Sequence, residues 1–161
     1  MSSRFVSAAL CCLVVHGVAT TLTGQQVHIL NLALNAGEPQ HDGMTLAAII
    51  WTESSFCAHI HGIDHRAQGC AQLHQSTANQ VAGRKVSRWR LTHDRRLNLH
   101  LAALYLRSCL DRFGYRGGIT CFHLGIPAAA RVPKRSLLHN AYLRTVLRHV
   151  RELEHLPVDE D

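Results

Sequence analysis

Residues 45–56 read TLAAIIWTESSF, and the reading of Glu53 near the end of that run decides how the whole chain is understood. At helical spacing Leu46, Ile49, Ile50, Glu53, Phe56 and Cys57 share one side, with the carboxylate near the middle of an apolar face. A charge placed there is costly to desolvate unless it is paired, protonated or opened to a cleft. The residues around it point to the last two.

Outward from this helix the chain continues as a string of helices. Gln25–Asn35 carries Val27, Leu30 and Leu34 on one face and stops before Gly37 and Pro39. His41-Asp42-Gly43 reads as a turn into the Thr45–Phe56 helix, and 57–69 as a polar, histidine-rich loop with room for a small β-element. A short helix is expected from Cys70 up to a closing Gly83, then a basic linker over 84–93. Asp94 caps a long helix ended by Gly114, apolar nearly all round and so central and buried. A short helical piece follows Gly117-Gly118, broken at Ile126-Pro127, and an amphipathic helix spans 136–156. The class is mainly α in a single domain, over residues 20–156, with an acidic tail at 157–161.

Residues 1–19 have two readings. One arginine, an apolar run from Phe5 to Val15 and the small residues Gly17-Val18-Ala19 fit a secretory signal peptide. The alternative is an N-terminal helix. The run is too short for a comfortable membrane span.

Charge narrows the chemistry. Between residues 20 and 150 the only acids are Glu38, Asp42, Glu53, Asp64, Asp94 and Asp111, so few carboxylate pairs exist for two-acid mechanisms. From Arg84 to Arg116 nine cations face two acids. Such a strip suits a nucleic acid, an anionic membrane or an acidic wall polymer, or is simply a solvated face. With little aromatic interleaving beyond Trp89 and no nucleic-acid motif, no specific nucleic-acid partner is expected.

Six Cys and thirteen His show no metal-site spacing: there is no CxxC pair and no HExxH helix. No metal and no cofactor is expected. The four later cysteines, 57, 70, 109 and 121, read equally as disulfides or as buried thiols.

Four pieces of sequence stand in order: Glu53-Ser54-Ser55-Phe56; Gly69-Cys70-Ala71-Gln72-Leu73 with Ser76-Thr77-Ala78; a segment from Asp94 to Leu106; and Cys121-Phe122-His123-Leu124-Gly125. This set resembles the SLT-type lytic transglycosylases, relatives of goose-type lysozyme, whose pattern runs E-S-x-F, G-x-M-Q-L with S/T-A, D-P-x-x-N-I-x-x-G-x-x-Y-L and A-Y-N-A-G. Asp94, Asn98, Tyr105 and Leu106 match the third motif in place, and Ala141–Val150 looks like the family's final helix. The likeness covers roughly residues 25–152.

The resemblance implies a lysozyme-like fold and cleavage of the β-1,4 bond between N-acetylmuramic acid and N-acetylglucosamine in peptidoglycan glycan strands. Glu53 is the catalytic residue it implies, serving as acid and then base. A glycosidic oxygen leaves only when handed a proton, and an apolar face beside a cleft favours the neutral acid that can give one. Most glycosidases use a second carboxylate. Here the implied nucleophile is the sugar's own N-acetyl group or 6-hydroxyl, giving 1,6-anhydro ends.

Ser54, Gln72, Phe122 and His123 are the implied substrate-binding residues. Gln72 matches the glutamine that bonds the sugar or its N-acetyl group, and Ser54 helps hold the acid's geometry. Phe122 and His123 depart from the family's Tyr and Asn: Phe122 lacks the hydroxyl, and reads as a core aromatic or a sugar platform, while His123 can donate or accept. Implied settings are a wall-remodelling enzyme, a secretion or conjugation machine, or a phage particle. In each the protein acts on the wall in the bacterial periplasm. A hydrolase on the same fold and a non-catalytic glycan-binding or assembly protein are the rival functions.

Overall fold

The structure is a computed structural model that describes residues 12–15, 18–36, 42–62 and 66–155. The expected turn residue His41, His65 in the loop and the 157–161 tail lie outside them.

Strands β1 (Cys12–Val15) and β2 (Val18–Thr21) pair antiparallel, and helices α1 (Gly24–Ala36) and α2 (Asp42–Ser54) follow. A second antiparallel pair, β3 (Ala67–Gln68) and β4 (Leu73–His74), leads into α3 (Gln75–Ala82) and α4 (Arg88–His93). The rest is helical: α5 (Arg95–Leu124), α6 (Ile126–Ala129), α7 (Lys134–Leu138) and α8 (Ala141–Glu154). The mainly α class holds. Among the described residues no helix is long and apolar enough to cross a membrane.

The core lies where α2 packs between α1, α5 and α8. Leu46, Ala47, Ala48, Ile49 and Ile50 are all fully buried, as an all-round apolar helix requires. The expected turn at Asp42-Gly43 is instead the first turn of α2. Its glycine serves packing rather than turning: a Cβ at Gly43 would sit 2.5 Å from the Leu34 carbonyl oxygen, so only glycine lets α2 cross α1 this closely.

Helix α5 bends back on itself at Gly114, whose φ of 68° is left-handed, so the expected break is there. A Cβ at Gly118 would lie 2.7 Å from the Leu110 Cα, which shows how tightly the two arms press together. The Cys109–Cys121 disulfide joins the same two arms. A second disulfide joins Cys57 to Cys70.

Other expectations change as well, among them the helix expected from Cys70, where β4 comes first and α3 starts only at Gln75. Of residues 1–19, where a first helix was one alternative, 12–15 and 18–19 lie in the paired strands β1 and β2, and the others lie outside the described residues. The supposed basic linker contains α4, capped by the Ser87 hydroxyl, which accepts from the Arg90 N–H. The last helix is two: Asn140 starts α8 by accepting from the Leu143 N–H at 2.8 Å, and α7 stands apart.

The α2–α8 contact carries a pH-dependent element. The His149 ring stacks on Trp51 at 4.2 Å, and its Nδ1 lies 3.1 Å from the Thr52 hydroxyl. Burial, aided by the charge of Arg148 and opposed by a backbone hydrogen bond at Ala48, lowers the His149 pKa to about 4. The unfolded chain takes up this proton near pH 6.5, while the folded chain refuses it until about pH 4. Stability therefore falls as pH drops through that window and is unaffected above it. Denaturant titrations at pH 7.5 and 4.5 should show the parent losing about 2–3 kcal/mol more than His149→Gln. Equal losses would contradict the assignment.

Candidate active site

Glu53 occupies the last turn of α2, and the chain then turns sharply away. Ser55, Phe56 and Cys57 all take left-handed backbone, with φ of 50°, 56° and 66°. Each such residue costs about 1–2 kcal/mol, so the turn needs strong ties. It has them. The Ser54 hydroxyl accepts from the Cys57 N–H at 2.9 Å and donates to the Cys70 carbonyl at 2.6 Å. The Cys57–Cys70 disulfide joins those same two residues, and the Phe56 ring is buried.

Ser54 does not line the cleft with the other expected site residues. It is 1% exposed, and its hydroxyl is engaged inside the protein, where it fastens the end of the Glu53 helix to the Gln72 turn.

That turn is built on Asn98 of α5. Its side-chain oxygen accepts from the Ala71 N–H at 2.8 Å, and its amide donates to the Gln68 and Leu91 carbonyls at 3.0 Å each. Gly69, with φ 71°, passes so close that a Cβ would strike the Asn98 amide. The Gln72 backbone is again left-handed, at φ 49°. Its side-chain amide donates to the Gly69 carbonyl at 2.7 Å and the His59 carbonyl at 3.2 Å, and the residue faces the cleft.

The third wall comes from the end of α5. Phe122 is 7% exposed and packs against Tyr105 at 5.4 Å, while its edge lines the cleft; it is core and wall at once. The Tyr105 hydroxyl accepts from the Ile126 N–H at 3.2 Å, closing that end beside Gly125. Burial raises the Tyr105 pKa despite this bond. His123 is half-exposed, with Nδ1 3.7 Å from Glu53 Oε1.

These walls enclose a cleft of about 240 Å³ that contains Glu53, Gln72, Phe122 and His123 together with His74 and Thr77. Four of the five residues expected at the site meet there. Among the described residues, no group of three or more His, Cys, Asp or Glu is arranged to hold a metal ion.

One residue was missed. The Tyr142 hydroxyl, from the first turn of α8, donates to Glu53 Oε1 at 2.7 Å. Its ring stacks on His123 at 4.2 Å. Burial, then the Glu53 charge and this hydrogen bond, holds the Tyr142 pKa well above the usual phenol value, so the proton stays on the tyrosine. A tyrosine hydroxyl thus reaches Glu53 from α8, while Phe122 brings none. The available signal was a lone Tyr in a helix of aliphatic and arginine residues.

Residues 32–130 match the family described as transglycosylase SLT domain. The chain belongs to the SLT transglycosylase family. Neither a search of curated proteins nor one of solved structures returns a match. Its mainly α, single small domain accords with the lysozyme-like SLT fold, and family membership supports transglycosylase-type activity on peptidoglycan. The matched span ends before α8, so the Tyr142 contact rests on the geometry alone.

Tyr142→Phe leaves Glu53 Oε1 without this donor. We expect kcat to fall about tenfold or more with KM little changed, as for loss of one hydrogen bond to a charged group. Unaltered kcat would mean the contact does not orient the acid.

Proposed function

We propose that the protein is a peptidoglycan lytic transglycosylase that cuts the MurNAc-β-1,4-GlcNAc bond and leaves 1,6-anhydro-MurNAc ends. The supporting observation is that, among the described residues, Glu53 is the one carboxylate lining the cleft. Among those residues a two-carboxylate mechanism has no second acid there to use.

In this reading Glu53 starts as the acid. It gives its proton to the glycosidic oxygen as the bond from C1 breaks, releasing the GlcNAc-side hydroxyl. The muramic N-acetyl oxygen or the 6-hydroxyl supplies electrons to C1. Glu53, now a carboxylate, takes the 6-hydroxyl proton as O6 closes on C1, which restores the acid and consumes no water. Tyr142 holds one carboxylate oxygen at 2.7 Å through both steps, and the other has no protein partner among the described residues. Gln72 binds the sugar or its N-acetyl group at the opposite wall, Phe122 gives it an apolar surface, and His123 offers a donor or acceptor in place of the family's Asn.

We place the activity at the wall in the periplasm, reached through a signal peptide or by delivery from a phage particle. Two disulfides in so small a domain favour such an oxidising setting. Digestion of purified sacculi tests the reading. Soluble muropeptides lighter by one water than their reducing-end counterparts are expected; sacculi left intact would overturn it.

A further inference from the structure

One short run of this protein is dense in positive charge. Residues 84–96 carry Arg84, Lys85, Arg88, Arg90, Arg95 and Arg96 against the single Asp94, a net of +5. All six cations are exposed. Asp94 pairs with Arg90 at 3.2 Å. Arg95 and Arg96 also occupy the first turn of α5, where the helix dipole disfavours cations and α5 has no acid.

At the middle of this strip stands Trp89. It is 69% exposed, the most exposed large apolar side chain among the described residues. Helix α4 turns Leu91 and Thr92 into the core and leaves Trp89 outward, one face of its ring lying near His93 at 5.2 Å. The Asn98 amide ties the Leu91 carbonyl to the Gln68 carbonyl, so α4 is a firm mount beside the cleft wall at β3.

We propose that α4 and its flanking residues form a docking surface for an anionic lipid bilayer, with Trp89 seated among the headgroups. An indole is apolar in body and polar at its N–H, which suits the bilayer interface, and cations ringed about it meet the negative surface of the leaflet. Nucleic-acid strands are gripped differently, by a basic groove with successive aromatic platforms, whereas here one aromatic protrudes alone. The surface would hold the enzyme at the membrane while the cleft works on adjacent glycan.

The test is co-sedimentation of the full chain with vesicles of phosphatidylglycerol and, in parallel, of phosphatidylcholine at physiological salt. Binding to the first and not the second is expected. Trp89→Ala, and separately Arg95→Glu with Arg96→Glu, should each weaken binding at least tenfold while circular dichroism and cleavage of soluble glycan fragments stay unchanged. No binding to phosphatidylglycerol, equal binding to both lipids, or binding indifferent to Trp89→Ala would overturn the proposal. A single-stranded oligonucleotide bound more tightly than the vesicles, with the same dependence on Trp89, would overturn it in favour of a nucleic acid.

Discussion

Glu53→Gln should lower glycan cleavage by about a thousandfold or more, within the usual range for losing a general acid and base at one atom. The substitution keeps the size of the side chain and leaves an amide oxygen that can still accept from Tyr142 at the position where Oε1 now does. Stability should therefore change by less than about 1 kcal/mol. Measurement needs two readings, the rate of soluble muropeptide release and a melting curve. An inactive, normally folded variant is the expected pair. A variant that keeps more than a tenth of the parent rate would remove Glu53 from the chemistry, because among the described residues no other carboxylate lines the cleft to replace it.

The second large effect is structural. Asn98 is fully buried, and its three hydrogen bonds hold the Ala71 N–H and the Gln68 and Leu91 carbonyls. Asn98→Ala removes all three bonds inside the protein, at about 1–3 kcal/mol each before relaxation. We expect a net loss of about 3–5 kcal/mol, a large share of the stability of a domain this size. The damage should be focused on the Gly69–Gln72 turn, so amide hydrogen exchange there should accelerate more than in α8. A variant with native stability would contradict the view that Asn98 of the third motif is the post on which the second is mounted.

How much of this was legible beforehand depended on whether a residue's neighbours were local. The face of α2 was readable because helical periodicity needs only the sequence within a few turns, and Asp94 and Gly114 carried ordinary cap and break signals. Gly43 misled: glycine after aspartate signals a turn, but its reason lay in the approach of α1, which no local pattern reveals. Helix α4 was hidden because only Leu91 and Thr92 point inward, too few to make a periodicity among six residues. The pair β3–β4 has two residues per strand, too short to show alternation. Residues 12–21 were apolar enough to suit a leader or a helix, and their pairing could not be told from composition.

The site divides in the same way. Glu53, Gln72, Phe122 and His123, which line one cleft, could be singled out because they sit in motifs, each a short run with fixed spacing. Ser54 was found but given to the substrate, whereas its hydroxyl is buried against Cys57 and Cys70. The disulfide partners could not be chosen from spacing, since four cysteines allow three pairings. Tyr142 lies 89 residues from the carboxylate it touches, and only the packing of α8 on α2 brings them together.

The central claim is that one carboxylate cuts the glycan without water. Digestion of purified peptidoglycan in water enriched in ¹⁸O tests it most directly, with the new ends read by mass spectrometry. A transglycosylase closes O6 on C1, so its products should be anhydro ends carrying no ¹⁸O. Reducing ends that each carry one ¹⁸O atom would show that water attacks C1, and would make the protein a hydrolase on the same fold.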